Sequence, residues 1–97
     1  MKPYYGLLTR RVQAARLAAA LPHVPPGARL LDLGCGLTDL PARFPTYTGC
    51  DRNPVVLAEM RRRHPAALFA SWDVDADEPP SEVAARAPFD AVLMLAI

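Results

Sequence analysis

The residues best placed to do chemistry lie where an apolar run ends in a glycine-rich turn, in the segment LLDLGCGLTD over residues 30–39. Gly34 and Gly36 have no side chains, so main-chain amides there can come within contact distance of a ligand, and a following helix would point its positive end at the same place. Asp32 precedes Gly34 by two residues. A carboxylate repels a pyrophosphate, so this acid favours a cationic, nucleotide-like ligand without phosphate.

The LLDLGCG segment over residues 30–36 resembles the first motif of the class I S-adenosylmethionine-dependent methyltransferases, whose cofactor is cationic and carries no phosphate. Members of that family place a second acid at the end of the next strand, where it binds the ribose hydroxyls, and TYTGCDRNP over residues 46–54 is similar to that motif. The resemblance implies that Asp51 binds ribose, with Arg52 beside it. Asp51 also lies 17 positions after Gly34, an offset shared with NAD-binding proteins.

Two further segments complete the resemblance. In the family an acid after the third strand meets the adenine amino group, and LFASWDV over residues 68–74 matches this motif in place and order. A fourth, apolar strand opened by Phe-Asp is matched by FDAVLML over residues 89–95. The resemblance therefore covers roughly residues 29–97. The cofactor-binding residues that it implies are Asp32, Gly34, Cys35, Gly36, Asp51, Arg52, Asp73 and the backbone of Val74.

One position departs from the family pattern, and two other classes of protein stay open. Thr38 stands where the family usually has a further glycine; its hydroxyl can cap the next element, or its branched side chain can crowd the methionine moiety. A NAD-type oxidoreductase would have a hydrophobic residue in place of Asp32 and a glycine in place of Asp39, so the sequence disfavours that class. A catalytically silent module that binds cofactor or a partner chain remains an alternative.

The elements that must position these residues alternate between helix and strand, which predicts an α/β fold with a Rossmann-like, doubly wound sheet. Pro41 and Pro45 limit the helix after the glycine turn, while Asn53 and Pro54 supply an N-cap and a first-turn proline for the next helix. The predicted order is helix 4–21, strand 28–33, a short helix, strand 47–50, a helix from 54 that ends at Pro65, strand 67–72, a short helix 81–87 capped by Ser81, and a strand from Phe89.

The chain has 97 residues, enough for one small domain. Because the family's domain continues beyond the fourth strand, we expect the N-terminal part of one methyltransferase domain, truncated after strand four, with a leading helix and connector over residues 1–27 and the cofactor-binding units over 28–97. Strand four would then present an unpaired outer edge, which predicts self-association.

Charge and cysteine content add weaker constraints. Residues 1–30 contain five basic residues and no acid, but a solvated helix face explains this better than nucleic-acid binding. The two cysteines are expected to be reduced and buried, and no apolar run reaches the ~20 residues that cross a bilayer, so a cytoplasmic location is expected. Asp73, Asp75 and Asp77 alternate as in a calcium loop, but the required glycine is replaced by Glu78, so no metal site is predicted.

The reaction that the resemblance implies is an in-line displacement in which a nucleophile of the substrate attacks the methyl carbon of the sulfonium. The protein would contribute orientation and a pocket that excludes water. The methyl acceptor is unknown, no catalytic base is assigned, and the Asn-Pro-Pro-aromatic signature of enzymes that methylate base amino groups is absent from the sequence. Asp90, at the start of strand four, is interpreted as a structural residue.

Overall fold

A computed structural model describes residues 21–25, 27–73, 75 and 78–94 of the chain. The predicted leading helix lies outside the described residues except for Leu21, which begins a single 3-10 turn over Leu21–His23. Val74, one of the proposed cofactor-binding residues, also lies outside them. Among the helices that are described, none has the length and apolar character needed to cross a membrane.

Four parallel strands form one sheet in the described part of the chain. They are β1 (Arg29–Leu33), β2 (Thr46–Asp51), β3 (Leu68–Ser71) and β4 (Ala91–Leu93). Their order in the sheet is β3-β2-β1-β4, and every neighbouring pair is parallel. The chain therefore starts in the middle of the sheet and winds first to one side and then to the other, which confirms the predicted α/β, Rossmann-like fold.

The two α-helices within the described residues begin at different sequence signals. Helix α1 (Pro54–Arg63) begins as predicted, because the Asn53 side chain accepts a hydrogen bond from the Val55 amide at 2.9 Å and Pro54 takes the first position. Helix α2 (Ser81–Ala84) is shorter than expected. The prediction that Ser81 caps this helix is wrong: Ser81 is its first helical residue, Pro80 takes the cap position, and no side-chain cap bond forms.

The element after the glycine turn differs from the expected helix. The chain stays non-helical through Asp39 and then makes one 3-10 turn, Leu40–Ala42. Pro41 within this turn and Pro45 after it have no amide hydrogen to donate, so a longer helix would lack hydrogen bonds. The element is short, as predicted, but the expectation that a helix points its positive end at the turn is wrong, because three residues build no appreciable helix dipole.

Apolar side chains cover both faces of the sheet. Helix α1 packs on one face, where Leu57 and Met60 bury themselves with Leu30, Tyr47 and Phe69. On the other face Val83 of α2 joins a second cluster whose remaining buried members are Leu31, Leu33, Cys50 and Ala70. Coverage of both faces explains why β1 and β2 are buried at nearly every position instead of at every second one.

The two outer strands of the described sheet, β3 and β4, differ in how far their edges are covered. On β3 the Arg61 guanidinium donates to the Phe69 carbonyl at 2.8 Å, which covers part of that edge. On β4, at the other edge of the described sheet, Val92 and Met94 are about half exposed, at 53% and 50%. Strand β4 begins at Ala91 and not at the predicted Phe89, because at Asp90 a side-chain oxygen, and not a backbone carbonyl, accepts from the Arg29 amide.

Asp90 has the structural role predicted for it. Its Oδ2 accepts a hydrogen bond from the Arg29 amide, and its own amide donates to the Arg29 carbonyl, both at 2.8 Å. This reciprocal pair locks the start of β4 against the start of β1.

Candidate functional site

The glycine turn lies at the carboxyl edge of the sheet, directly after β1. Gly34 and Gly36 have φ angles of 68° and 58°, in the left-handed region that residues with a side chain rarely adopt. A Cβ added to Gly36 would meet no atom within 4 Å, so the backbone conformation, and not crowding, requires glycine there. The Cys35 amide donates to the Cys50 carbonyl at 2.9 Å, which fastens the turn to the end of β2.

Asp51, at the end of β2, connects the turn to the start of α1. Its Oδ2 accepts a hydrogen bond from the Gly36 amide at 3.0 Å, and its Oδ1 accepts one from the Asn53 amide at 2.9 Å. An ionised carboxylate has about four acceptor positions, so Asp51 retains capacity for a ligand hydroxyl. The second predicted acid therefore lies at the tip of the glycine turn.

Asp32 lies behind the turn and is buried, with 4% of its surface exposed. The Tyr47 hydroxyl donates to its Oδ2 at 2.6 Å. Burial raises the pKa of Asp32 to about 6, and the nearby Asp51 charge acts in the same direction, while the hydrogen bond from Tyr47 acts against both. The Asp32 carboxyl is thus a buried acid whose pKa lies about one unit below neutral pH.

Tyr47 belongs to this site, although its side chain was not predicted to do so. It is 1% exposed, and its ring lies 5.8 Å from that of Phe69, tilted by 51°. A Cβ at Gly49 would lie 2.8 Å from Tyr47 Cε1 and 3.0 Å from Phe69 Cδ1, so the ring occupies the space that a side chain at Gly49 would fill. A glycine inside a strand was the available signal, since it marks a close approach of neighbouring groups.

The two cysteines are free, as predicted, but they differ in burial. Cys50 is buried, whereas Cys35 is only partly so. Burial, with the nearby Asp32 charge acting in the same direction, raises the pKa of each thiol to about 12. Both are therefore protonated near neutral pH and are poor nucleophiles, so the contribution of Cys35 to the turn is its backbone.

The third predicted acid, Asp73, lies two residues after the end of β3 and forms an ion pair with Arg52, the residue that follows Asp51 in the chain. Asp73 Oδ2 is 3.8 Å from Arg52 Nε, and its Oδ1 accepts a hydrogen bond from the Asp75 amide at 3.1 Å. The Arg52 side chain is 76% exposed and that of Asp73 is 30% exposed, so this is a weak surface ion pair. It links the tips of β2 and β3 over the place where the resemblance puts adenine.

The structure thus brings the predicted residues to one edge in two groups. The first comprises Asp32, Gly34, Cys35, Gly36 and Asp51, and the second comprises Arg52 and Asp73. Thr38 stays outside both groups, since its Oγ1 accepts from the Leu40 amide at 3.2 Å; the N-cap residue of the 3-10 turn is Asp39. Among the described residues no three histidine, cysteine or acidic side chains are grouped to hold a metal ion.

Comparison with known proteins finds methyltransferases both by sequence and by structure. The chain is 42% identical over 78 residues to the trans-aconitate 2-methyltransferase of Methylobacterium nodulans, a match that covers 72% of this chain and 30% of that protein. It superimposes with a TM-score of 0.51 and 23% identity on the crystal structure of a TehB-like SAM-dependent methyltransferase from Corynebacterium glutamicum, over 72% of this chain and 46% of the other. No family model matches the sequence.

This chain is therefore similar in sequence to a methyltransferase, and it has the fold of a SAM-dependent methyltransferase. The chain spans about 30% of the length of its curated relative.

Proposed function

We propose that the chain binds S-adenosylmethionine at the glycine turn and forms the cofactor-binding part of a methyltransferase that acts on an acceptor still to be identified. The observation that supports this most directly is Asp51, whose two oxygens accept from the amides of Gly36 and Asn53. These bonds fix an acid at the carboxyl edge of a parallel sheet, beside a turn with an open approach, where ligands bind in open α/β sheets.

Each predicted residue has a proposed role. Asp51 accepts from the ribose hydroxyls, and the backbone at Gly34 and Gly36, which carries no side chains, lets the methionine moiety approach closely. Asp32 supplies a negative charge toward the cationic part of the cofactor. Arg52, Asp73 and the Val74 backbone surround adenine.

Methyl transfer would proceed by in-line displacement. When bound, S-adenosylmethionine supplies an electrophilic methyl group, and the protein supplies orientation and exclusion of water. The chain's own contribution is therefore the geometry of its sheet edge.

Electrostatics separate this proposal from a NAD-binding role. Asp51 lies close enough to Asp32 for its charge to raise the pKa of Asp32. Two carboxylates at one turn attract a sulfonium and an ammonium group and repel a pyrophosphate. Isothermal titration of the chain with S-adenosylmethionine and with NAD is expected to show binding of the first alone; binding of NAD without S-adenosylmethionine would overturn the assignment.

A matched pair of glycine variants tests where the cofactor binds. Gly36 and Gly27 both have positive φ, 58° and 75°, and a Cβ on either meets nothing within 4 Å. Gly36→Ala and Gly27→Ala therefore add similar backbone strain, of order 1–2 kcal/mol. Because only Gly36 lies in the turn, only Gly36→Ala is expected to weaken S-adenosylmethionine binding, by about tenfold or more. Equal losses in both variants would show that the turn is not the site.

The acceptor can be approached through the relative. That protein's name gives trans-aconitate as its acceptor, so a small carboxylic acid is the first class to test. A methyl-transfer assay on a longer chain that contains this segment would show transfer to such an acid. Cofactor binding without transfer to any acceptor would favour the alternative, a catalytically silent binding module.

A further inference from the structure

Tyr47 and Asp32 form a buried hydrogen-bonded pair behind the glycine turn. The Tyr47 Oη lies 2.6 Å from Asp32 Oδ2, and the two residues are 1% and 4% exposed. Burial and the Asp32 charge both raise the pKa of Tyr47, so the phenol keeps its proton and is the donor. A short bond from a neutral hydroxyl to a carboxylate is among the stronger hydrogen bonds in proteins.

The strand register gives the pair its geometry. Tyr47 lies opposite Leu30 in the β1–β2 ladder, and Asp32 lies opposite Gly49. The absent side chain of Gly49 leaves room for the Tyr47 ring to extend along the strand toward Asp32. Contact with the Phe69 ring on β3 limits the positions that the tyrosine ring can take. The hydroxyl is therefore directed at the carboxylate by three strands.

The other titratable groups near Asp32 come from the turn and from the end of β2. Cys35 and Cys50 are both protonated near neutral pH, as described above, and carry no charge. Asp51 is an acid and raises the pKa of Asp32. Among the described residues that shift the titration of Asp32, Tyr47 is the group that favours its ionised form.

We propose that Tyr47 is a positioning residue that keeps Asp32 ionised and oriented, and that it thereby sets the pH range in which the turn binds its cationic cofactor. This inference rests on the proposed function, because it needs S-adenosylmethionine as the ligand. Tyr47 acts through Asp32 and makes no contact with the cofactor itself. The bond uses Oδ2, and the carboxylate keeps further acceptor capacity for the ligand side.

The pH profile of cofactor affinity measures this role. Protonation of Asp32 removes a negative charge from the site, so affinity for S-adenosylmethionine is expected to fall as the pH drops through about 6. S-adenosylhomocysteine has a neutral thioether in place of the sulfonium, so its affinity should fall less over the same range. The two ligands thus separate an effect of charge from a loss of folded protein.

Three variants should change the pH dependence of S-adenosylmethionine affinity in different ways. Tyr47→Phe keeps the ring but removes the donor, so the midpoint of the pH dependence of affinity should rise by about one pH unit, with roughly fivefold weaker binding near pH 6 and little change above about pH 8. Replacement of Tyr47 by monofluorotyrosine makes the phenol a stronger donor and should lower the midpoint. Asp32→Asn should remove most of the pH dependence.

The outcomes distinguish this inference from the proposal on which it rests. A pH midpoint of cofactor affinity that rises in Tyr47→Phe and falls with fluorotyrosine at residue 47 supports the positioning role. Fluorotyrosine is nearly isosteric with tyrosine, so the test stays informative if Tyr47→Phe fails to fold. An unchanged midpoint in a folded variant would overturn the role of Tyr47 while leaving cofactor binding intact. Failure of the unmodified chain to bind S-adenosylmethionine at any pH would instead overturn the proposed function.

Discussion

The amino edge of the sheet, where the strands begin, and the carboxyl edge, where they end, each contain an aspartate that accepts a hydrogen bond from a backbone amide. The two acids nevertheless have different roles. At the amino edge Asp90 exchanges two bonds with Arg29 and continues the pairing of β1 with β4 by one step. At the carboxyl edge Asp51 binds the amide of Gly36, which lies in a turn outside any ladder. The position of the donor in the chain, and not the acid itself, distinguishes a structural role from a candidate binding role.

The arginines at the two edges also differ in how firmly they are bonded. At the amino edge Arg86 donates to the Tyr47 carbonyl at 2.9 Å and to Thr48 Oγ1 at 3.1 Å, and Arg29 donates to the carbonyls of Pro88 and Arg86. These guanidinium groups therefore bond to three backbone carbonyls and one side-chain hydroxyl at this edge. At the carboxyl edge Arg52 is largely exposed and only loosely paired. The amino edge is closed by internal bonds, whereas the carboxyl edge keeps carboxylates available to a ligand.

The largest expected effect concerns the pH dependence of stability at the carboxyl edge. The pKa of Asp32 is raised in the folded state from 3.8 to about 6, so ionisation is harder there than in the unfolded chain. The free energy of unfolding should therefore decrease as the pH rises through this interval, by on the order of 3 kcal/mol from this group, and stay level above it. Urea denaturation of the chain and of Asp32→Asn between about pH 4.5 and pH 7, a range that contains about 2 kcal/mol of this decrease, checks this.

In that comparison the asparagine variant should lack the decrease. Glu59, whose pKa is lowered to about 2 by Arg62 and Arg63, loses its stabilising pairs only at lower pH and does not interfere. A parallel decrease in both proteins would show that Asp32 is not its source.

The second effect separates the two edges directly. Asp51→Asn retains one acceptor oxygen but loses the charge, and we expect it to weaken S-adenosylmethionine binding by about tenfold to a hundredfold, since hydrogen bonds to charged groups contribute about 1.5–3 kcal/mol. Asp90→Asn should lower the free energy of unfolding by about 1 kcal/mol and leave affinity unchanged. Calorimetry and thermal unfolding of both variants provide the test. A loss of S-adenosylmethionine affinity in Asp90→Asn would contradict the assignment of binding to the carboxyl edge alone.

A third prediction concerns the space beside Tyr47. Gly49→Ala places a Cβ 2.8 Å from the Tyr47 ring, so the ring must shift within a buried cluster. We expect a loss of about 1–3 kcal/mol in the free energy of unfolding, measured by urea denaturation. The displaced hydroxyl should also bind Asp32 less well and raise its pKa, which carboxyl NMR titration would report. Unchanged stability together with an unchanged pKa would mean that the ring is not confined by this glycine.

The smallest effect lies at the start of α1. Asn53→Ala removes the acceptor for the Val55 amide and should lower the free energy of unfolding by about 1 kcal/mol. Asn53→Asp keeps the acceptor and serves as the control. Because Asp51 bonds the backbone amide of residue 53 and not its side chain, cofactor affinity should change little in either variant. A large loss of affinity on mutation to alanine would assign the Asn53 side chain to the binding site.

The features that could be predicted from the sequence are those that depend on a few adjacent residues. The strand and turn around Asp32, the capped start of α1 at Asn53 and the place of Asp51 follow from local propensity and from motif spacing. The short element after the turn was predicted from its prolines, but its 3-10 form was not, because the balance between a single turn and a helix depends on packing that the pattern does not contain.

The amino-acid sequence by itself determined the alternation of strands and helices and the order of the acids along them, because hydrophobic patterning and glycine conformation act over a few residues. Only the tertiary structure decided that Tyr47 is the partner of Asp32. That pairing depends on the register of β1 against β2, on the empty position at Gly49 and on the burial of both groups. Burial then decides the charge of the acid, because the cost of removing a carboxylate from water depends on its whole surroundings.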